Sequence, residues 1–258
     1  VAFFTHATGK YLQIEDSQIY FETAGNPDGQ PLVLLHGGLG TMADFNSILE
    51  KLPQQFRFIG IDLRGQGKST TGAVRLSYEQ YQEDVEAVLV HLGVDSCCLL
   101  GFSDGGIVGY RLAAKEQTKI KKLITIGSQW RLKADDPSFS MLSGVTSKIW
   151  SGMFPESVKY YEKINQKPDF DALVKSVVQV WTDSQSTGYP DEAVRNIKAP
   201  MLIVRGDEDP LFSLSEAVEL RSRVRGSSFL NIPFAGHVAY EESGTIFLAA
   251  ANAFLIHS

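Results

Sequence analysis

The chain has little cysteine, no surplus of positive charge and no long apolar run, and each shortage removes a class of protein. Its two cysteines, Cys97 and Cys98, are adjacent and sit inside an apolar stretch. Such a pair cannot build a disulfide framework, so a reducing, cytoplasmic compartment is the expectation. Acidic residues outnumber basic ones by 30 to 24, for a net charge of -6. No basic stripe is offered to phosphate, which argues against nucleic acid and an anionic membrane surface as partners. The most apolar segment, Ile246 to Ile256, is interrupted by Asn252 and is too short for a membrane span, which takes about 20 residues. The opening residues, Val1 to His6, lack the charged and apolar regions of a secretory leader. Neither G-x-G-x-x-G nor G-x-x-x-x-G-K-[ST] occurs, so a phosphate-cradling loop of those kinds is not expected. Internal repeats and low-complexity tracts are missing as well.

What remains is globular. With 43% hydrophobic residues over 258 positions, the chain has material for a sizeable core that needs no staples. Tyr11 to Ile14 and Gln18 to Thr23 read as a β-hairpin turning at Glu15-Asp16-Ser17. Unbroken apolar runs then recur at Leu32–Leu35, Phe58–Ile61, Cys97–Leu100, Leu123–Ile126 and Met201–Val204. Strands buried on both faces of a parallel sheet have this character. Between them lie helical patterns. Ser77 to Gln80 and Ser213 to Glu216 resemble capping boxes, the first opening onto Tyr81, Val85, Val88, Leu89 and Leu92. Alternating strands and helices predict an α/β fold with right-handed crossovers.

The alternation breaks after Gly127. Met141, Val145, Ile149 and Met153 are spaced for one helical face, and Phe170, Leu173, Val174, Val177 and Trp181 for another. Residues 130–196 therefore read as a small helical cap, inserted into a core formed by 1–129 and 197–258. Insertions at strand ends are where function concentrates. Packed helices without a role in the site are the plainer alternative. Apolar residues exposed on the cap would also serve a homodimer.

Gly101-Phe102-Ser103-Asp104-Gly105 is G-x-S-x-G placed between a buried strand and a helical pattern. Small residues at 101 and 105 allow the tight turn that lifts the Ser103 hydroxyl above the sheet, next to the positive end of the following helix. A serine hydroxyl needs a base. Of the five histidines, His6 and His257 read as terminal, His91 falls within a helix, and His36 ends a strand as a structural hydrogen-bonder. His237 follows the strand Phe229–Ile232 in a loop suited to a base. Its orienting acid comes from Gly206-Asp207-Glu208-Asp209-Pro210, where Asp209 at the bend is preferred over Asp207, and Asp207 and Glu208 are expected to be solvated. His36-Gly37-Gly38-Leu39-Gly40 lets a backbone amide approach a substrate oxygen. Gly38, with Leu39 as its competitor, and Asp104 are the expected oxyanion-hole donors.

These motifs, together with Asp62-Leu63-Arg64-Gly65-Gln66-Gly67-Lys68-Ser69, resemble the α/β-hydrolase superfamily over nearly the whole chain. The resemblance implies a mostly parallel eight-stranded sheet with helices on both faces, a Ser103–Asp209–His237 triad, and neither metal nor organic cofactor. It also implies that Asp62 and Arg64 brace loops near the oxyanion hole. A serine at 103 sets the chain apart from branches whose nucleophile is an aspartate. Ser103-Asp104-Gly105-Gly106 and Asp209-Pro210-Leu211 are similar to the biphenyl-hydrolase-like and valacyclovir hydrolase group. In that group the acid after the serine is associated with a substrate α-amino group. Asp104 could instead simply favour the helix dipole.

The function expected is a serine hydrolase cleaving a small carboxylic ester, an α-amino acid ester being the narrower case. Trp150, Phe154 and Trp181, with Phe170 and Tyr189, are candidates for an apolar acyl pocket, and Asp104 for its polar end. Thioesterase, lactonase, aminopeptidase, carbon–carbon bond hydrolase and perhydrolase chemistry would use the same residues. A non-catalytic ligand-binding protein on the same scaffold is the alternative.

Overall fold

The computed structural model describes residues 3–115 and 117–256. Eight strands form one sheet: β1 (Lys10–Ile14), β2 (Ser17–Gly25), β3 (Pro31–Leu35), β4 (Arg57–Ile61), β5 (Ser96–Phe102), β6 (Lys119–Ile126), β7 (Met201–Gly206) and β8 (Ser228–Ile232). Their order is β1-β2-β4-β3-β5-β6-β7-β8, with β2 antiparallel to both its neighbours, β1 and β4, and every other pair parallel. The expected hairpin and apolar runs are all strands of this sheet.

The helices are α1 (Asn46–Leu49), α2 (Tyr78–His91), α3 (Asp104–Lys115), α4 (Pro137–Ser143), α5 (Ser147–Met153), α6 (Pro155–Ile164), α7 (Phe170–Trp181), α8 (Leu214–Arg223), α9 (Ala239–Glu242) and α10 (Gly244–Ile256). Successive strand residues feed opposite cores. Val33 and Leu35 pack with Val85, Ile107 and Leu220, whereas Leu32 and Leu34 pack with Ile48, Leu49 and Phe247. This alternation is why the parallel strands are apolar without a break. It also separates the two thiols: Cys97 belongs to the first core and Cys98 to the second. Burial pushes the Cys97 thiol up to about 12, so it behaves as a small hydrophobe. Among the described residues no helix is long and apolar enough to cross a membrane.

Some expectations need correction. Met141, Val145, Ile149 and Met153 do not share one helix. Gly144 ends α4 and Thr146 caps a separate α5, leaving Met141, Ile149 and Met153 exposed. In α7 the expected face is inside, with Leu173, Val174, Val177 and Trp181 buried. Ser77 and Ser213 cap α2 and α8 by accepting from Gln80 and Glu216. The Glu216 carboxylate, however, accepts from the Trp130 N–H at 3.2 Å.

Candidate active site

Ser103 lies between β5 and α3 at φ +50°, a left-handed conformation that costs a serine energy. The turn is locked on both sides. The Ser103 N–H donates to Ile126 O at 2.8 Å, and the Ser103 carbonyl accepts from Gly106 and Ile107. A side chain at 105 would run into the Leu35 carbonyl, and one at 101 into the Gly105 backbone. The glycines of G-x-S-x-G are therefore demanded by backbone meeting backbone.

His237 and Asp209 arrive on loops after β8 and β7. The two loops are joined by Asp207 N–H to Ile232 O and Glu208 N–H to Ala235 O, each at 2.8 Å. The His237 Nε2 lies 3.1 Å from Ser103 Oγ. Its Nδ1 lies 3.0 Å from both carboxylate oxygens of Asp209. Asp209 is buried, and its Oδ1 also accepts from the amides of Leu211 and Phe212. Asp207 and Glu208 are exposed. The three residues picked from sequence thus form one continuous hydrogen-bonded line.

The other histidines stand apart. His36 Nε2 accepts from Leu63 N–H, and its Nδ1 donates to Gly37 O at 2.7 Å, a structural role. His91 is the last residue of α2. His6 is a correction: it is buried, with Nε2 2.9 Å from Asp62 and Nδ1 2.9 Å from the Tyr160 hydroxyl. His257 lies outside the described residues. Asp62 also accepts from Met42 and Lys68, and Arg64 grips Asp84 of α2 through Nε and Nη2, so both side chains tie loops together.

The Gly38 and Asp104 amides have no intramolecular acceptor among the described residues, whereas the Leu39 N–H donates to Gln66 Oε1 at 2.6 Å. Asp104 N–H opens α3, where the helix dipole favours negative charge. The Asp104 carboxylate turns inward. It accepts from the Tyr78 hydroxyl at 2.9 Å and from the Trp181 indole at 3.0 Å. Burial pushes its carboxyl up, and these two donors oppose the shift.

A cavity of about 320 Å³ opens over Ser103. Trp150, Phe154, Trp181 and Tyr189 line it as expected. Phe170 does not; it packs on Tyr161. Trp150 stands between Phe154 and Trp181, with ring centroids 4.8 and 6.1 Å away. The sequence reading missed Tyr78, Gln129, Asp44 and Glu241, which also line the cavity. Nothing local marked them; Tyr78 was hidden as the first residue of a capped helix. Acidic side chains line the cavity, and no Lys or Arg does. No group of three His, Cys, Asp or Glu suited to a metal occurs among the described residues.

Comparison with known proteins agrees with this architecture. A family model described as the alpha/beta hydrolase fold matches residues 30–154. The AB hydrolase superfamily protein YisY of Bacillus subtilis is 27% identical over 91% of this chain and 94% of its own. The mouse serine hydrolase BPHL is 27% identical over 91% of this chain and 82% of its own. Among solved structures, an esterase (EaEST) from Exiguobacterium antarcticum superposes with a TM-score of 0.80 at 22% identity, over 97% of this chain and all of that one. The strand order, the serine turn after β5 and these likenesses agree on one conclusion: the chain has the α/β-hydrolase fold, and the curated proteins it is similar to are hydrolases.

Proposed function

We propose that the chain is a serine hydrolase that cleaves small carboxylic esters through an acyl-enzyme. The observation that carries this is the unbroken line from Ser103 Oγ through His237 to Asp209 at hydrogen-bonding distance. On this reading Ser103 Oγ bonds to the ester carbonyl carbon while His237 Nε2 takes its proton. Asp209 holds the imidazole with Nδ1–H directed at its carboxylate and stabilises the cation that forms. The carbonyl oxygen becomes an oxyanion within reach of the Gly38 and Asp104 amides. The carbon–oxygen bond then breaks, and His237 gives its proton to the departing alcohol. Water, deprotonated by His237, repeats the sequence on the acyl-enzyme and frees the acid.

The insert 130–196 acts as the cap, with Trp150, Phe154 and Trp181 shaping the acyl pocket. A pocket lined by acids and aromatic rings, with no Lys or Arg, disfavours an anionic acyl group and suits a neutral or cationic one. Asp104 supports the narrower reading of an α-amino acid ester. Its buried carboxylate has only neutral donors, so an ammonium would supply the missing charge.

Fluorophosphonate labelling with peptide mapping tests the proposal. The expected result is one adduct on Ser103, lost in Ser103→Ala. A folded wild type that takes up no label overturns the catalytic reading and favours a ligand-binding protein on the same scaffold.

A further inference from the structure

Residues 37–40 form a turn closed by Gly40 N–H donating to Gly37 O at 3.1 Å. Its third residue, Leu39, has φ +61°. A positive φ there is the mark of a type II turn, a position that normally takes glycine or asparagine. Leucine resists this conformation by about 1–2 kcal/mol. Strain of this kind persists only where the surroundings over-determine it. Two features do so here. The Leu39 side chain is 6% exposed and belongs to the core. Its N–H donates to the side chain of Gln66 at 2.6 Å.

Gln66 is itself fixed. It is fully buried, and its Nε2 donates to the Tyr81 hydroxyl at 3.2 Å. Because a backbone N–H can only donate, the amide oxygen must face Leu39 and the nitrogen must face Tyr81. Tyr81 sits one turn along α2 from Tyr78, the two rings meeting edge to face at 6.4 Å. Tyr78 donates to Asp104, the residue that carries the second free amide. One helix therefore reaches both sides of the site: through Tyr81 and Gln66 to the 37–40 turn, and through Tyr78 to the start of α3.

We propose that Gln66 is a positioning residue for the oxyanion hole, fixing the Gly38–Leu39 peptide so that the Gly38 amide stays free to meet the substrate oxygen. This rests on the ester-hydrolase reading above. Gln66 touches neither the serine nor the substrate. It acts by occupying the competing Leu39 amide and by holding a strained turn that would otherwise relax toward negative φ. The side chain is well suited to this. It offers an acceptor on one side and a donor on the other, and it carries no charge to desolvate.

The test compares Gln66→Met, Gln66→Glu and Tyr81→Phe with the wild type on p-nitrophenyl butyrate, together with inhibition by an aryl trifluoromethyl ketone. Met keeps the length but has no comparable acceptor. Its kcat is expected to fall roughly 10- to 100-fold with KM changed less than about threefold, somewhat less than loss of an oxyanion donor itself. Affinity for the ketone, whose adduct carries the oxyanion, is expected to fall in parallel. Glu retains an acceptor for Leu39 and can accept a hydrogen bond from the Tyr81 hydroxyl. It is expected to stay within about fivefold of wild-type kcat even though burying its carboxyl lowers Tm. Tyr81→Phe frees only the far end of the amide and gives a smaller loss of the same kind. Should Gln66→Met fail to fold, the Tyr81→Phe and Gln66→Glu pair carries the same comparison. Wild-type kcat in Gln66→Met or, where that variant does not fold, in Tyr81→Phe overturns the proposal, as does a loss that follows Tm in every variant regardless of the acceptor. If the wild type neither turns over the ester nor takes the fluorophosphonate label, the hydrolase reading falls and this proposal falls with it. Labelling and turnover in the wild type, with Gln66→Met unimpaired, overturn this proposal alone.

Discussion

Asp104 contributes two groups that face different demands. Its amide opens α3 with no intramolecular acceptor among the described residues, and its carboxylate is gripped by Tyr78 and Trp181. Substitution separates the two, because the amide survives any change of side chain. Asp104→Asn keeps an oxygen at Oδ1, which already accepts from both Tyr78 and Trp181, and removes the charge together with the second acceptor that Oδ2 offers Trp181. On the proposed reading it should cost at least about 100-fold in kcat/KM on α-amino acid esters, the scale of a buried charge losing its partner. On matched esters without the amine the change should stay below about fivefold, a figure set by the neutral bonds that remain. Equal losses on the two series would leave Asp104 a structural residue. The sequence displayed the aspartate but not this environment. Tyr78 and Trp181 lie 26 and 77 positions away, and only the fold brings them to it.

At the scale of elements, the site is a set of strand ends. β3 delivers the glycine turn, β5 Ser103, and the loops after β7 and β8 Asp209 and His237. Much of this was legible, because buried parallel strands announce themselves as apolar runs and the serine turn needs glycine at fixed places. The insert was harder to read. Spacing alone joined Met141 to Met153, whereas Gly144 and the Thr146 cap divide the segment into two short helices. His6 was misread because proximity to a terminus suggested disorder, and its partners Asp62 and Tyr160 are distant in sequence. The steric logic of the turn makes a direct test. Gly105→Ala sets a methyl against the Leu35 carbonyl and should destabilise by on the order of 3 kcal/mol, lowering Tm by roughly 6–12 °C. Gly152→Ala is the control. It lies within α5 and its added methyl would meet nothing within 4 Å, so Tm should hold or rise slightly. Thermal unfolding of the two variants side by side decides whether the turn or glycine loss in general is responsible.

At the scale of the molecule, the β6–β7 insert is tied to the rest through its first residues. Trp130 donates its backbone N–H to the Glu216 carboxylate and its indole N–H to the Glu216 carbonyl. Arg131 and Arg223 lie over the same indole, 5.6 and 4.5 Å from the ring centroid. Glu216 is 2% exposed, and burial pushes its carboxyl up to about 8, with Arg131 and the Trp130 N–H opposing the shift. In the unfolded chain the same carboxyl titrates at the usual 4.5. Between these values the folded protein holds a proton that the unfolded chain has released, so stability from this group falls as pH rises. Below about 4.5 both states are protonated and nothing is lost; above about 8 both are ionised and the loss is complete. Glu216→Gln keeps an oxygen for Trp130 and cannot ionise. The Tm of the variant minus that of the wild type should therefore grow between pH 5 and 8 and level off beyond. Other buried carboxyls, including those of Asp84 and Asp104, are shifted in the same direction and shape both curves. The difference cancels their share and isolates Glu216. A difference that stays constant across the range would mean that Glu216 is ionised in the folded protein, held by Arg131 as a buried ion pair.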